Sequence, residues 1–365
     1  MKLLLGGSKK PIIRVPTLSQ GGQTALDGLE PGTLSVCPLT SSSVGGHYRN
    51  VLPTNDYPSY ALTFGVTGGS TVLKTTRVAT GFFPNVTDCY SIDETGFCVV
   101  SSDNMPGYNG ARANVSGGAV SSITSSPNTY SWAASMNTRF QSVGVDGFGV
   151  VVNQNIARLV QCNPIFTDLS SVVLAPSISM RSWARPAILD SSTFAFFFDS
   201  NMRIVTRTGT TLTLGTSYEI PGGYIVRDAW AISNNRIVAI ALDSGKTSAS
   251  LLLLSSTGQL LSSKYLGTVF SVSSVVNISC GIEIVSDTNG NKFVIGIWRP
   301  NTTTCNAMGI YIDLETDTFA PLGSSINSVP VASEYLGLVM TAKMNNNTII
   351  ISDSIAVHAL SITFN

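Results

Sequence analysis

The chain has 365 residues, of which only 12% are charged, and its 21 basic and 21 acidic side chains cancel. That balance excludes the basic footprint of a nucleic-acid binder and any strong one-signed field over the whole molecule. With so few charges, Ser, Thr, Asn and Gly must cover much of the exterior, a surface more usual on extracellular β-proteins and virion proteins than on cytosolic enzymes.

Residues 1–56 are dense in Gly, Pro, Ser and Thr and carry no amphipathic period. Lys2, Lys9, Lys10 and Arg14 fall within the first fourteen residues with no acid among them. Ile12-Ile13-Arg14-Val15 and Leu34-Ser-Val-Cys37 make the segment more apolar than a disordered tail. The expectation is an extended arm that adds a strand to a neighbouring subunit, with Lys2, Lys9, Lys10, Ile12, Ile13 and Arg14 at the interface. Met1-Lys-Leu-Leu-Leu holds three consecutive leucines, short of the ~7–15 apolar residues of a signal-peptide core. Synthesis in a host cytoplasm is therefore expected. No stretch approaches the ~20 apolar residues of a membrane-spanning helix, so no membrane insertion is expected.

From residue 57 the chain becomes repetitive. Tyr60-Ala-Leu-Thr-Phe-Gly-Val66 and Thr71-Val-Leu-Lys-Thr-Thr-Arg-Val78 read as a hairpin around Gly68-Gly69. Six units follow, each a polar turn and then a run rich in Val, Ile and Phe, as in Ala187-Ile-Leu-Asp-Ser-Ser-Thr-Phe-Ala-Phe-Phe-Phe198. Such runs fit strands buried on both faces. The turns (Asp-Gly, Asn-Asn, Asn-Gly) supply the positive-φ positions of tight hairpins.

Taking Phe97, Phe148, Phe194, Ile237, Phe293 and Ile349 as equivalent anchors gives intervals of 51, 46, 43, 56 and 56 residues. A period near this length, with about four strands per unit, is the signature of a β-propeller. Trp132, Trp183 and Trp230 each precede an alanine and follow Phe97, Phe148 and Phe194 by 35, 35 and 36 residues. All six are assigned to packing between repeats. Asp103, Asn153, Asp199, Asp243 and Asp353 end runs, as residues that form Asx-turns do.

Residues 331–365 hold three strands, too few for a blade, and pairing 57–84 with 331–365 would close a ring without exposed edges. The fold expected is all-β: an N-terminal arm over 1–56 and a propeller over 57–365. Six blades are favoured, and seven result if 57–84 forms a blade of its own. Deleting residues 1–50 should then leave a folded propeller. The strands after the anchors, such as Val99–Ser101, Val150–Val152 and Ala195–Phe198, are expected to line the axis and plug it. Two or more carboxylates or arginines meeting there around an open pocket would favour an enzyme instead.

No catalytic motif stands out, and no enzyme is expected. Ser91-Ile-Asp-Glu-Thr-Gly-Phe97 resembles the Asp-box of sialidase propellers, a structural turn, with its glycine one place late and its tryptophan missing. Arg139, Arg181, Arg185, Arg203, Arg207 and Arg227 show no spacing that selects a triad, and His47 and His358 adjoin no nucleophile motif. The six cysteines form no Cys-x-x-Cys pair, so neither metal nor cofactor is expected. Buried free thiols are expected, with Cys89 and Cys98 the one pair near enough in sequence to bridge a hairpin. Tyr108 and Tyr224 beside glycines, and Trp298 outside the Trp-Ala spacing, are the candidate ligand contacts.

The repeat, the low charge, the Ser/Thr/Asn-rich surface and the arm together resemble propeller-bearing virion proteins of tailed bacteriophages, such as tail-nozzle and fibre-attachment components. The resemblance is architectural and covers residues 57–365. It implies a structural role in the virion, with copies of the chain and other virion proteins as partners and the arm gripping an adjacent subunit. The alternative is a carbohydrate-binding propeller that reads a cell-surface glycan, with a glycan-active enzyme ranked last.

Overall fold

The computed structural model describes residues 13, 15–25, 32–50, 59–67, 70–73, 77–81, 84–103, 108–128, 130, 139–144, 146–153, 155–175, 184–198, 200–270, 280–301, 303–330, 340–352 and 356–364. Among them the secondary structure consists of 29 strands and no helix, arranged as seven antiparallel sheets. The first strand, β1 (Thr17–Ala25), is set apart from its sequence neighbours. Blade 1 is β2 (Gly32–Thr40), β3 (Ser43–Asn50), β4 (Ser59–Thr67) and β5 (Ser70–Leu73), with the short β6 (Val78–Ala79) also on β4. Blade 2 is β7 (Pro84–Asp93), β8 (Gly96–Asp103), β9 (Tyr108–Ser116) and β10 (Ala119–Ser125). Blade 3 is β11 (Arg139–Ser142), β12 (Phe148–Asn153), β13 (Ile156–Cys162) and β14 (Phe166–Val173).

Blade 4 is β15 (Ala187–Asp190), β16 (Thr193–Phe198), β17 (Asn201–Thr208) and β18 (Thr211–Glu219). Blade 5 is β19 (Ile225–Ser233), β20 (Arg236–Leu242), β21 (Ser248–Ser255) and β22 (Leu260–Thr268). Blade 6 is β23 (Cys280–Ser286), β24 (Lys292–Trp298), β25 (Thr304–Asp313) and β26 (Thr318–Pro330). Blade 7 is β27 (Met340–Asn345), β28 (Thr348–Ser352) and β29 (Ala356–Thr363), completed by β1 as its outermost strand. The fold is a seven-bladed β-propeller.

The apolar pattern explains the ring. In β16, Phe194, Phe196 and Phe198 pack on blade 3, while Ala195 and Phe197 pack on blade 5. In β20, Ile237, Ala239 and Ala241 face blade 4, and Val238, Ile240 and Leu242 face blade 6. Both faces of a strand are thus interior, which is why these runs lack the alternation of a half-exposed sheet. A separate apolar cluster fills each of the seven blade interfaces, ending with Leu34, Tyr48 and Phe64 of blade 1 against Met340, Ile350 and Val357 of blade 7. The six anchors are all buried and occupy the first or second place in β8, β12, β16, β20, β24 and β28. Glycines let large rings cross between blades: a Cβ on Gly149 would fall 2.8 Å from the Tyr90 ring, and one on Gly45 would fall 2.7 Å from that of Phe97.

Three expectations change. The favoured six blades are seven, because residues 32–73 already make a blade in which Val44, fully buried in the second place of β3, stands where the anchors stand. The arm does not run to residue 56, since β2 and β3 are a hairpin about Thr40–Ser43, with the two side-chain hydroxyls 2.7 Å apart. Closure is made by β1 rather than by 57–84: Leu18 pairs with Ile362 and Ser19 with Ser361. β1 escaped notice because an outermost strand has one neighbour only, and Thr17, Ser19 and Gln20 face solvent. Of the arm residues, Ile13 packs on the cluster between blades 6 and 7. Lys2, Lys9, Lys10, Ile12 and Arg14 lie outside the described residues, as do Trp132 and Trp183.

Removing residues 1–50 must therefore break the ring instead of sparing it. In thermal unfolding followed by circular dichroism, deletion of residues 1–25, which removes β1, should lower the transition and reduce its cooperativity. Leu18→Ala alone should cost about 2–5 kcal/mol. Gly149→Ala should cost about 1–3 kcal/mol through its collision with Tyr90, read in urea denaturation.

Candidate functional site

The first strand of each blade is the innermost. β2 touches β7 and β27, β7 touches β11, β15 touches β19, and β23 touches both β19 and β27. The axis is therefore lined by these strands. Val99–Ser101, Val150–Val152 and Ala195–Phe198 lie one strand further out, in the blade interfaces. The apolar plug expected there is replaced at the axis by a cluster of charges.

Arg185, just ahead of β15, is at its centre. Its Nε donates to Asp228 Oδ1 at 2.7 Å and its Nη2 to Asp228 Oδ2 at 2.5 Å, a bidentate pair. Nη2 also approaches the Ile282 carbonyl at 3.1 Å, Glu283 Oε1 at 3.2 Å and Thr341 Oγ1 at 3.3 Å. The Thr341 hydroxyl donates to Glu283 Oε1 at 2.9 Å. One guanidinium thus joins blades 4, 5, 6 and 7. Its outer face lies 4.9 Å from the Trp230 ring, whose Nε1 donates to the Ile282 carbonyl at 2.9 Å.

Asp228 accepts two further bonds, from its neighbour Ala229 N at 3.1 Å and from Ile282 N on the next blade at 3.1 Å. Asp88 repeats the device between blades 2 and 3, accepting from Cys89 N at 2.8 Å and Phe140 N at 2.7 Å. Each carboxylate stitches its own strand to the following blade.

The protonation preferences follow from these partners. Burial would raise the Asp228 pKa, but the Arg185 charge and its hydrogen bonds outweigh burial and hold it below the usual carboxylate range. Glu283 meets Arg185 through one longer bond, so burial prevails and its pKa rises. Asp88 is likewise raised by burial, against the pull of Arg139. Burial lowers the Arg139 pKa, while for Arg185 the two acids overcome burial and raise it.

Beside the cluster lies an open cavity of about 580 Å³, lined by Arg185, Trp230, Glu283, Lys292 and Lys343 and by the strand ends bearing Thr40, Ser41 and Ser91. A recess of about 40 Å³ adjoins it, lined by Asp88, Arg139, Arg185 and Trp230. Arginines and carboxylates thus converge beside an open pocket, the arrangement expected to favour an enzyme, and the expected apolar plug is not what the described axis holds.

The sequence contains a signal for this cluster. Asp88, Arg139, Arg185 and Asp228 each stand nine residues before their anchors Phe97, Phe148, Phe194 and Ile237. Glu283 stands ten before Phe293 and Thr341 eight before Ile349; both pair two places past their anchors, with Ile295 and Ile351, where Asp88 and Asp228 pair three past theirs, with Val100 and Ile240. The tryptophans do not share this register: Trp132 is seven before Arg139, Trp183 two before Arg185, and Trp230 two after Asp228.

The residues singled out as ligand contacts lie elsewhere. Trp298 is buried between blades 5 and 6, and Tyr224 packs partly buried beside Gly222. Tyr108 opens β9, and neither Trp298 nor Tyr224 lines the axial cavities. Phe97, Phe148 and Phe194 lie in blade interfaces, and Trp230 connects interface to axis. The Asp-box-like segment forms the β7–β8 turn, with Asp93 Oδ1 accepting from Thr95 N at 2.8 Å. Of the run-ending acids, Asp243 accepts from Thr247 N at 2.7 Å and from its hydroxyl, closing the turn across four residues rather than the two of an Asx-turn. Cys89 and Cys98 are free and out of register, Cys89 facing Val99 and Cys98 facing Tyr90.

No protein-family model matches the chain, and no curated protein matches it. The functional reading therefore rests on the propeller, which is consistent with a scaffold or binding role, and on its axis.

Asp228→Asn should destabilise the protein by about 3–5 kcal/mol near neutral pH, since it leaves Arg185 buried without its principal counter-ion. Because the folded-state pKa of Asp228 is depressed, its contribution is present above the unfolded value of 3.8 and is lost as pH falls through the folded one. The gap between native and Asp228→Asn proteins in urea denaturation should accordingly close on acidification.

Proposed function

We propose that the protein is a non-enzymatic structural component of a virus particle, in the tail, neck or fibre-attachment region of a bacteriophage. The propeller serves as the scaffold and the residues ahead of β1 as the assembly anchor. The observation that carries the scaffold reading is the use made of the axial acids. Asp228 receives four donors and Asp88 two, all from the protein's own framework. A general acid or nucleophile has to present its oxygen to a reactant; these oxygens are engaged in holding blades together.

The particle reading is supported by composition. A surface with few charges and much Ser, Thr and Asn suits a protein packed among other subunits, with copies of itself and other virion proteins as partners. Lys2, Lys9 and Lys10 ahead of β1 suit an acidic neighbouring surface. Blade 7 takes its outer strand from this chain, which supports placing the anchor in the residues before Thr17.

The test uses particles banded by density from the culture that produces the protein. Co-banding at fixed stoichiometry, lost in a deletion of residues 1–12 that still folds, is expected. Protein confined to the soluble fraction would sink the particle reading. A second reading, a receptor-binding propeller that recognises glycan, is favoured by the open axial cavity with Trp230 and hydroxyl side chains in its wall. Saturable binding on a glycan array would place the protein in that class.

A further inference from the structure

The axial cavity has a one-sided charge balance. Arg185, Lys292 and Lys343 line it as cations, and Glu283 lines it as the one acid. Glu283 is already engaged by Arg185 and Thr341. Lys343 Nζ donates to Asn346 Oδ1 at 3.3 Å and Lys292 Nζ to the Ile232 carbonyl. No carboxylate among the described residues forms an ion pair with either lysine. Burial holds the Lys343 pKa below its ordinary value, against the pull of Glu283 and with the push of Lys292.

A second observation points the same way from deeper along the axis. Arg139 Nε is a buried donor with no acceptor. Arg139 lines the small recess, where Asp88 directs its two oxygens to the amides of Cys89 and Phe140. The recess and the large cavity share Pro38, Ser91, Arg185 and Trp230, so they are adjacent. Asp88 and Asp228 are engaged by the framework through both oxygens and Glu283 through Oε1, while three cations around the cavities retain capacity for an acceptor.

We propose that this axial cavity binds a small hydroxylated organic anion bearing a carboxylate or a phosphate. Lys343 and Lys292 take the charged group, and Thr40, Ser41 and Ser91 meet the hydroxyls. A volume of about 580 Å³ is the size of sites that enclose a small organic ligand. Two flexible ammonium groups and a buried guanidinium suit an oxyanion, since each brings hydrogen-bond donors and no acceptor. The inference does not depend on the particle reading; an axial anion could occupy a scaffold or a receptor reader.

Isothermal titration calorimetry on the full chain tests it, with glucuronate, glucose 6-phosphate and inorganic phosphate as probes and glucose as the neutral counterpart. Saturable binding of at least one anion is expected, about tenfold or more tighter than glucose and weakened by added salt. The glucuronate and phosphate arms identify which charged group is preferred. Lys343→Met and Lys292→Met should each weaken binding about tenfold, Lys343→Arg should retain it, and Lys264→Met on outer strand β22 should leave it unchanged. Thermal unfolding of each variant separates loss of the site from loss of fold. No saturable heat with any anion, equal affinity for glucose, or unchanged affinity in folded Lys343→Met and Lys292→Met proteins would each overturn the proposal.

Discussion

Ring closure is the constraint on which this molecule depends. Each sheet is apolar on both faces, so every blade needs two neighbours, and the first and last can have theirs only by meeting. The meeting occurs at Leu34, Tyr48 and Phe64 against Met340, Ile350 and Val357. It is held by backbone pairing of β1 with β29, residues more than three hundred positions apart. Burial supplies the driving force without direction, and the strand exchange supplies the register. A chain lacking β1 would still have blades to pack but a blade with its edge unpaired.

The axis solves a different problem. Seven inner strands converge where the blades are narrowest, and the side chains there must satisfy one another. Arg185 and Asp228 meet in a fork that uses both carboxylate oxygens, and Asp88 and Asp228 bond amides of the next blade. These bonds are directional, unlike the apolar contacts further out, and they fix how one blade sits against the next. Burying the ions in this way carries a large desolvation cost, so the pairs are better understood as determinants of geometry than as sources of net stability. The same saturation leaves the cavity beside them with a surplus of cations, and from that surplus comes its predicted taste for anions.

The propeller was legible because its period is carried by features that cannot vary freely. Phe97, Phe148, Phe194, Ile237, Phe293 and Ile349 follow a hairpin turn and enter a strand buried on both faces, and they recur at intervals of 43 to 56 residues. The first blade was harder to see. Val44 follows Ser41-Ser42-Ser43, which lacks the Asp-Gly or Asn-Asn turn signature, and a Gly- and Pro-rich setting made residues 32–50 resemble a tail. β1 carried even less signal, because Leu18 is its one buried apolar side chain among exposed Thr17, Ser19 and Gln20, too little to write a period. Four of the axial residues, Asp88, Arg139, Arg185 and Asp228, were visible at nine residues before their anchors. The Trp-Ala spacing does not mark them, because it counts forward from one blade while the inner strand is registered backward from the next. How the protein is used by its neighbours was not legible at all, since the bonds that could be read are those the chain makes with itself.

The most direct measurement of closure is a covalent one. Ser19 and Ser361 are register partners in β1 and β29, and the protein's own six cysteines are buried. In a Ser19→Cys/Ser361→Cys variant, mild oxidation should join the two strands into a circle, seen as a reductant-sensitive mobility change, and should raise the unfolding temperature. Two thiols that remain separately reactive in the folded protein would contradict a ring closed by β1.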